Sequence, residues 1–401
     1  MPGIRTLDDL GEVRGKRVLV RVDFNVPMKD GEVTDATRIE RAATTLRELA
    51  DRGARVVALS HFGRPKGRAE PSMSLRPLVG PLGRALGGRP VAFAPDCVGP
   101  EAERVVDGLK DGDVALVENL RFHAGEEKND PAFADQLAAL GDLYVDDAFS
   151  AAHRAHASIT GLAERLPAAA GRLMQAEVEA LQRALDHPER PVAGLIGGAK
   201  VSTKIDVLNR LVDRFDVLII GGAMANTFLL ARGLPVGKSL VERDMADTAR
   251  DILRRAEARG CEVVLPDDAA VAKEFREGAP HEILPVDRVR EDDMILDIGP
   301  DTIERIGMRL EGCRTVLWNG PMGAFEVPPF DQGTTGVAGV VARETREGRM
   351  VSVAGGGDTV AALAHAGALD ALSYVSTAGG AFLEWLEGKE LPGVAALHRK
   401  T

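Results

Sequence analysis

Met350-Val351-Ser352-Val353-Ala354-Gly355-Gly356-Gly357-Asp358-Thr359 is an apolar run of strand character that breaks into three glycines and an acid. The next residues, Val360 to His365, have helix character. Glycine lets a backbone come close to a ligand, and the free N–H groups at a helix start favour an anion. Asp358 is out of place beside an anion; it fits as a helix cap or as a ligand for a cation that travels with the anion. A glycine run alone equally marks a plain tight turn. Two questions follow: whether strand, glycine turn and helix form the repeating unit of this chain, and what supplies positive charge.

The unit repeats. Strand-like runs occur at Arg17–Val22, Arg55–Ser60, Val114–Glu118 and Leu143–Asp147, then at Val192–Ile196, Val217–Ile220, Glu262–Leu265, Thr315–Trp318 and Met350–Ala354. Runs such as Val217-Leu218-Ile219-Ile220, apolar without alternation, suit strands buried on both faces of a parallel sheet. Helical stretches separate them; Thr37–Gly53 places Ile39, Ala42, Ala43, Leu46 and Leu49 on one face. The fold class expected is α/β, with parallel sheets flanked by helices in the Rossmann manner.

At 401 residues the chain exceeds one ordinary core, so two domains are expected. A helix over Arg172–Leu185, with Leu173, Val178, Leu181 and Leu185 as apolar points, follows Ala168-Ala169-Ala170-Gly171 and is stopped at Asp186-His187-Pro188. Read as the connector, it gives an N-terminal domain over 1–171, an interdomain helix over 172–187, a C-terminal domain over 188–390, and a tail over 391–401 whose docking place the sequence leaves open.

Composition narrows the function. The chain is 45% hydrophobic and 28% charged, as a globular protein is. No apolar run approaches the ~20 residues of a membrane span, and the N-terminus lacks a signal-peptide core, so a membrane role is not expected. Three scattered cysteines (Cys97, Cys261, Cys313) lack metal spacing and suit a reducing cytoplasm. A net charge of −11 argues against nucleic acid as a partner. An acidic protein that binds an anion must gather its bases locally.

In an open α/β sheet, ligands sit beyond the carboxyl ends of the strands. In the first half those positions hold Asp23-Phe24-Asn25, His61-Phe62-Gly63-Arg64, Asn119-Leu120-Arg121 and the stretch from Asp146 to Arg154, with Arg38 opening the first helix. A single arginine is usually a solvated surface residue. Arg38, Arg64, Arg121 and Arg154, one per post-strand segment and joined by His61, make an anion pocket, because guanidinium forks match phosphate and carboxylate. In the second half the same positions hold Gly197-Gly198-Ala199-Lys200, Gly221-Gly222-Ala223, Asn319-Gly320-Pro321 and the opening glycines. This edge is backbone and glycine. Its cations are Lys200 and Lys204, four apart and so expected one helical turn from each other, or else two solvated lysines.

Other motifs fail. Gly233-Leu234-Pro235-Val236-Gly237-Lys238-Ser239 resembles a P-loop but is one residue short and follows no strand. His153 and His156 near Asp146 and Asp147 lack a further metal ligand. No clean dinucleotide fingerprint and no nucleophile elbow is present.

Seven segments, in order, resemble phosphoglycerate kinase: Arg21-Val22-Asp23-Phe24-Asn25-Val26-Pro27, Leu59-Ser60-His61-Phe62-Gly63-Arg64-Pro65, Glu118-Asn119-Leu120-Arg121-Phe122, Ala152-His153-Arg154-Ala155-His156-Ala157-Ser158, Gly197-Gly198-Ala199-Lys200-Val201, Trp318-Asn319-Gly320-Pro321 and Gly355-Gly356-Gly357-Asp358-Thr359. The resemblance implies a monomeric, cytoplasmic glycolytic enzyme with two α/β domains around a cleft. Its reaction would be reversible phosphoryl transfer from 1,3-bisphosphoglycerate to ADP, giving 3-phosphoglycerate and ATP with Mg²⁺. It implies a substrate site of Asp23, Phe24, Asn25, Arg38, His61, Phe62, Gly63, Arg64, Arg121 and Arg154. It implies a nucleotide site of Gly198, Ala199, Lys204, Gly222, Asn319, Pro321, Glu326, Gly356, Gly357, Asp358 and Thr359, with Asp358 on the metal and Glu326 on the ribose. Arg38, Lys200 and Lys204 would surround the transferring phosphoryl, and domain closure would bring Arg38 to the Gly357 loop.

The chain departs from the family pattern at Ala378 and Phe382, where small or glycine residues are usual, and at Ala223 and Ile295, where glycines are usual. These positions bear on the shape of the nucleotide site. Two other readings remain: a non-catalytic binding relative, and a two-domain NAD-dependent dehydrogenase, against which the missing fingerprint speaks.

Overall fold

The computed structural model describes residues 3–398. The chain divides into two compact units, Met1–Val178 with Glu390–Thr401, and Glu179–Lys389. The division falls inside the helix Arg172–Leu185 rather than at its start. The C-terminal segment, whose docking the sequence left open, belongs to the first unit: the Arg5 N–H donates to the Leu397 carbonyl at 2.9 Å and the Gly393 N–H to the Ala152 carbonyl at 2.8 Å.

The first unit contains β1 (Arg17–Arg21), a two-stranded hairpin of β2 (Met28–Lys29) and β3 (Glu32–Val33), and β4 (Arg55–Leu59), β5 (Val91–Ala94), β6 (Val114–Val117), β7 (Leu143–Asp146) and β8 (Ala168–Ala170). All but the hairpin form one parallel sheet in the order β5-β6-β4-β1-β7-β8. Val18, Leu19 and Val20 are fully buried, as an unalternating apolar strand covered on both faces must be. The helix Thr37–Asp51 buries Ile39, Ala42, Ala43, Leu46 and Leu49, the face expected from its spacing, into the core that β1 and β4 share.

The second unit contains β9 (Val192–Ile196), β10 (Val217–Ile220), β11 (Glu262–Val264), β12 (Asp268–Ala272), β13 (His281–Pro285), β14 (Met294–Ile298), β15 (Thr315–Asn319), β16 (Val351–Gly355) and β17 (Tyr374–Ser376). Its main sheet is parallel, in the order β11-β10-β9-β15-β16-β17. A separate antiparallel sheet, β13-β12-β14, lies outside this alternation and was not expected.

The strands that sequence reading passed over have physical reasons in common. β5 and β17 are edge strands with mixed burial, so their apolar signal is diluted. β8 is Ala168-Ala169-Ala170, fully covered yet made of a residue with little strand preference, and it reads as linker. Gly171 after it is obligatory, since a Cβ there would lie 2.2 Å from Asp147 Oδ1. That oxygen accepts from the Leu173 and Met174 N–H groups and so caps the helix that follows.

Candidate functional site

In the first unit β1 and β7 are neighbours, but the chain leaves β1 toward β4 on one side and leaves β7 toward β8 on the other. Such a reversal opens a crevice at the strands' carboxyl ends. Asp23 and Ser150 meet there, with Ser150 Oγ donating to Asp23 Oδ2 at 2.5 Å. Arg38 Nη1 donates to the same oxygen at 2.6 Å and to the Asn25 carbonyl at 3.2 Å. Asn25 Oδ1 accepts from the Gly63 N–H at 3.0 Å, and Arg121 Nη1 donates to the Gly63 carbonyl at 2.9 Å. The post-strand segments after β1, β4 and β6 are thus stitched into one surface around Asp23, Asn25, Arg38, Gly63 and Arg121.

Arg64 and Arg154 are exposed, and no hydrogen bond or ion pair holds either side chain among the described residues. Both are available to an anion. Phe24, which the resemblance puts in the substrate set, is fully buried in the sheet core, and its N–H donates to Ser60 Oγ. Phe62 packs partly against the same core, and its N–H and carbonyl are both taken by Asn119. These two residues shape the loops and offer no free polar group. Gly63 has φ +59°, and a Cβ on it would meet Met73 Sδ at 2.9 Å.

Asn119, in the third of the matching segments, has no role that the resemblance implies. It is fully buried and braces three segments, donating to the Phe62 and Met73 carbonyls and accepting from the Phe62 and Arg121 N–H groups. A second buried group joins Arg21 and Ser158, which stand in the quoted motifs without a role, to Glu126, with Arg21 Nη2 3.0 Å from His61 Nδ1. Burial and then the charge of Arg21 push His61 down to about 3, with Asp23 opposing. Burial and Arg21 push His156 to about 4. Both rings are neutral at neutral pH. Asp146 and Asp147 are raised by burial, to about 6 and about 7. They serve as backbone acceptors for Ala148 and for the capped helix. Among the described residues the one cluster with metal-ligand spacing is Asp96, Cys97 and His123, and Asp96 Oδ1 already accepts from the Cys97 N–H and contacts His123 Nε2 at 2.7 Å.

The second unit reverses its winding between β9 and β15. The two strand ends are held together there, the Gly197 N–H donating to the Asn319 carbonyl at 3.0 Å. Lys204 Nζ donates to the carbonyls of Gly197 at 2.6 Å and Asn319 at 3.0 Å. A Cβ on Gly197 would lie 1.8 Å from the Pro321 carbonyl oxygen, and one on Gly222 would lie 2.7 Å from that of Gly198. These glycines are required by backbone meeting backbone. Gly357 differs, because nothing lies within 4 Å of where its Cβ would be.

Lys200 and Lys204 do not sit one helical turn apart. The helix starts at Ile205, Lys204 is its N-cap residue with φ −130°, and Lys200 is exposed in the preceding loop. The opening stretch folds as β16 followed by the helix Gly357–His365, with Gly356 as N-cap at φ +101°. Asp358 is therefore in the first helical turn and exposed, and its carboxylate makes no hydrogen bond or ion pair among the described residues. Thr359 is buried and its hydroxyl accepts from the Gly320 N–H at 2.7 Å. Asn319 is buried too and donates to the Gly355 carbonyl at 2.8 Å. Both residues lock the β15 and β16 loops together.

Beside them opens a cavity of about 460 Å³ within the second unit, lined by Gly198, Ala199, Gly222, Pro321, Glu326 and Asp358 among others. Lys204, Asn319, Gly356, Gly357 and Thr359 are not in its wall. Ala223 and Ile295 are, so these two departures do shape the cavity. Ala378 and Phe382 are not; both are buried, and the Phe382 ring lies 2.7 Å from where a Cβ on Gly355 would be, filling space behind the loop. The rejected P-loop look-alike contributes Lys238 to the wall, while Ser239 Oγ accepts from the Ile295 N–H at 2.8 Å. Leu240 and Phe275, both more than half exposed, also face the cavity, giving it apolar surface suited to a flat ring.

Comparison with known proteins points to a single family. A family profile described as phosphoglycerate kinase matches residues 7–389. The phosphoglycerate kinase of Rhodospirillum centenum is 63% identical over 393 residues, spanning 98% of this chain and 99% of its own length. That of Methylobacterium radiotolerans is 62% identical over 400 residues, the full length of both. Among solved structures, phosphoglycerate kinase from Coxiella burnetii superposes with a TM-score of 0.91 at 41% identity, covering 98% of this chain and 99% of that one. The enzyme from Pyrococcus horikoshii gives 0.82 at 32% identity, with 98% of each chain covered. Matched along nearly its whole length in sequence and in fold, the chain belongs to the phosphoglycerate kinase family.

Proposed function

We propose a division of labour for the reaction this chain catalyses, reversible phosphoryl transfer between 1,3-bisphosphoglycerate and ADP giving 3-phosphoglycerate and ATP. The first unit holds the phosphoglycerate through Asp23, Asn25, His61 and the four arginines. The second holds the nucleotide, its base in the apolar cavity, its ribose at Glu326 and its phosphates at Lys204 and the start of the helix Gly357–His365. The observation that carries this reading is the segregation itself: guanidinium groups crowd one site, and glycine backbone with an apolar cavity makes the other.

Phosphoryl transfer asks little covalent work of a protein. It needs in-line placement and compensation of charge on the equatorial oxygens. An acyl phosphate is already activated, so no general base is required. The partial exposure of Arg38, the exposure of Lys200 and the position of Lys204 at the strand ends support these roles. Water must be excluded, because it would compete as acceptor. The helix Arg172–Leu185, in which the two units join, is the proposed mechanical link for closure.

Asp358 fits a divalent cation: it is an exposed carboxylate in the cavity wall with both oxygens free. Mg²⁺ takes one or two carboxylates plus phosphate oxygens and waters, and when bound it supplies charge neutralisation at the nucleotide phosphates. A monomer working in the cytoplasm on small molecules, without nucleic acid, fits the acidic composition; among the described residues no helix is long and apolar enough to cross a membrane. A coupled assay with 3-phosphoglycerate, MgATP and an NADH-linked readout tests the reaction. Separate calorimetric titrations of each ligand, with Arg64→Ala as a variant that should weaken only phosphoglycerate, test the division.

Lys204 gives a pH dependence. Burial pushes its ammonium down to about 8, with Asp358 opposing. Nucleotide phosphate favours the charged form, so binding raises this value and takes up a proton when the free protein has lost one. ADP affinity is therefore expected to fall as pH rises through about 8, with proton uptake at pH 8.5 visible as a buffer-dependent binding enthalpy. Lys204→Arg should abolish both effects; uptake that persists in that variant would assign them to another group.

A further inference from the structure

Arg21 is the last residue of β1 and is fully buried, a position where an unpaired guanidinium would be prohibitively costly. Its partners form a network in which each proton can point only one way. Nε donates to Ser158 Oγ at 2.8 Å, Nη1 to the Val22 carbonyl at 2.5 Å, and Nη2 lies 3.0 Å from His61 Nδ1. Ser158 Oγ, having accepted from Arg21, gives its one proton to Glu126 Oε1 at 2.5 Å, while the Ser158 N–H donates to Glu126 Oε2 at 3.0 Å. Guanidinium has donors only. The proton between Arg21 and His61 therefore belongs to Arg21, and His61 Nδ1 must present a lone pair.

We propose that Arg21 is a positioning residue for the substrate site: it locks His61 in the neutral tautomer protonated at Nε2, so that His61 meets the phosphoglycerate as an uncharged N–H donor. This rests on the reading that the first unit holds phosphoglycerate. Nε2 makes no hydrogen bond among the described residues, and the residue keeps 8% of its surface exposed. An imidazolium is excluded at this position, because a proton on Nδ1 would face the Arg21 N–H at hydrogen-bond distance. The charged or titratable groups facing the ring are Arg21 and Asp23 from the β1 end, Arg121 from the segment after β6, and His156. Arg21 and Arg121 are cationic and reinforce neutrality, and His156 is itself neutral. The surrounding arginines supply the charge that draws the anion. His61 adds direction without adding charge, and its donor does not titrate across the neutral range.

Long-range ¹H–¹⁵N correlation spectra of the histidine-labelled, full-length protein read the tautomer directly, with His61 assigned by the signal lost in His61→Gln. The expected result is a protonated Nε2 and a bare Nδ1 from pH 8 down to about 5. A protonated Nδ1, or an imidazolium at pH 7, overturns the proposal. In Arg21→Lys the fork is lost, so both tautomers should be populated and KM for 3-phosphoglycerate should rise more than kcat falls. An unchanged single tautomer in a folded Arg21→Lys protein also overturns it. A further pair needs no change at the buried arginine. Glutamine can place its amide nitrogen near the position of Nε2, and asparagine near that of Nδ1, so His61→Asn should raise KM roughly 10-fold to 100-fold more than His61→Gln. Equal effects overturn the donor assignment. Addition of 3-phosphoglycerate should shift the His61 Nε2–H signal; absence of a shift, with the tautomer as expected, would count against the substrate-site reading alone.

Discussion

Arg38→Ala is expected to lower kcat by roughly 10²–10³ or more, the loss that follows removal of a charged partner from a transition state. The guanidinium is anchored but not spent. One nitrogen, Nη1, takes both Asp23 Oδ2 and the Asn25 carbonyl, and the side chain remains 36% exposed. A fork held by one corner has directed donors left for phosphoryl oxygens. Asp23 keeps its bonds from Ser150 Oγ and the Asn25 N–H when Arg38 is removed, so no buried group is orphaned. Stability should change by no more than about 1 kcal/mol, as for other partly exposed ion pairs. The measurement is single-turnover transfer at saturating substrates beside a thermal melt. A folded Arg38→Ala protein with near-normal kcat would remove Arg38 from the chemistry.

Asp358→Ala is expected to lower kcat/KM for MgATP by roughly 10²-fold or more, since it removes the carboxylate proposed for the metal. Its distinguishing readout is binding. ADP affinity of the unaltered protein should depend on Mg²⁺, and in the variant that dependence should largely vanish while metal-free ADP binds as well or slightly better, one negative charge having gone. The fold should tolerate the change. Asp358 sits in the first turn of the helix Gly357–His365, where an acid contributes about 0.3–1 kcal/mol through the helix dipole. Retained Mg²⁺ dependence would place the metal elsewhere. Lys204 is a proposed partner in this chemistry, but its amine also ties the ends of β9 and β15, so changes there would mix structure with catalysis.

Much of the candidate site was legible because it is built from residues that follow strands. Parallel sheets put those residues at one edge whatever the details of packing. Arg38, Arg64, Arg121 and Arg154 could be gathered by position in the chain alone. Asn119, Glu126 and Ser158 could not. Each acts by joining segments distant in sequence, and a buried polar residue looks like any other until its partners are known. Thr359 and Asn319, ligand groups by resemblance, have a role that the sequence does not show: their side chains bond to Gly320 and Gly355.

What the sequence determined by itself was the α/β class, the central strands of both main sheets, the two kinds of binding edge and the family. Period, burial and glycine placement are local signals, and they repeat often enough here to be unambiguous. Tertiary structure decided the rest. It set the order of strands, hence the crevices between β1 and β7 and between β9 and β15. It assigned the C-terminal segment to the first unit and added the antiparallel β13-β12-β14 sheet. It showed that Gly197 and Gly222 are forced by contact between backbones, whereas Gly357 faces open space. It also fixed the direction of protons around Arg21 and His61. The physical reason is the same in each case. A hydrogen bond or a steric contact between residues far apart in the chain leaves no periodic trace, and only the folded arrangement shows which donor faces which acceptor.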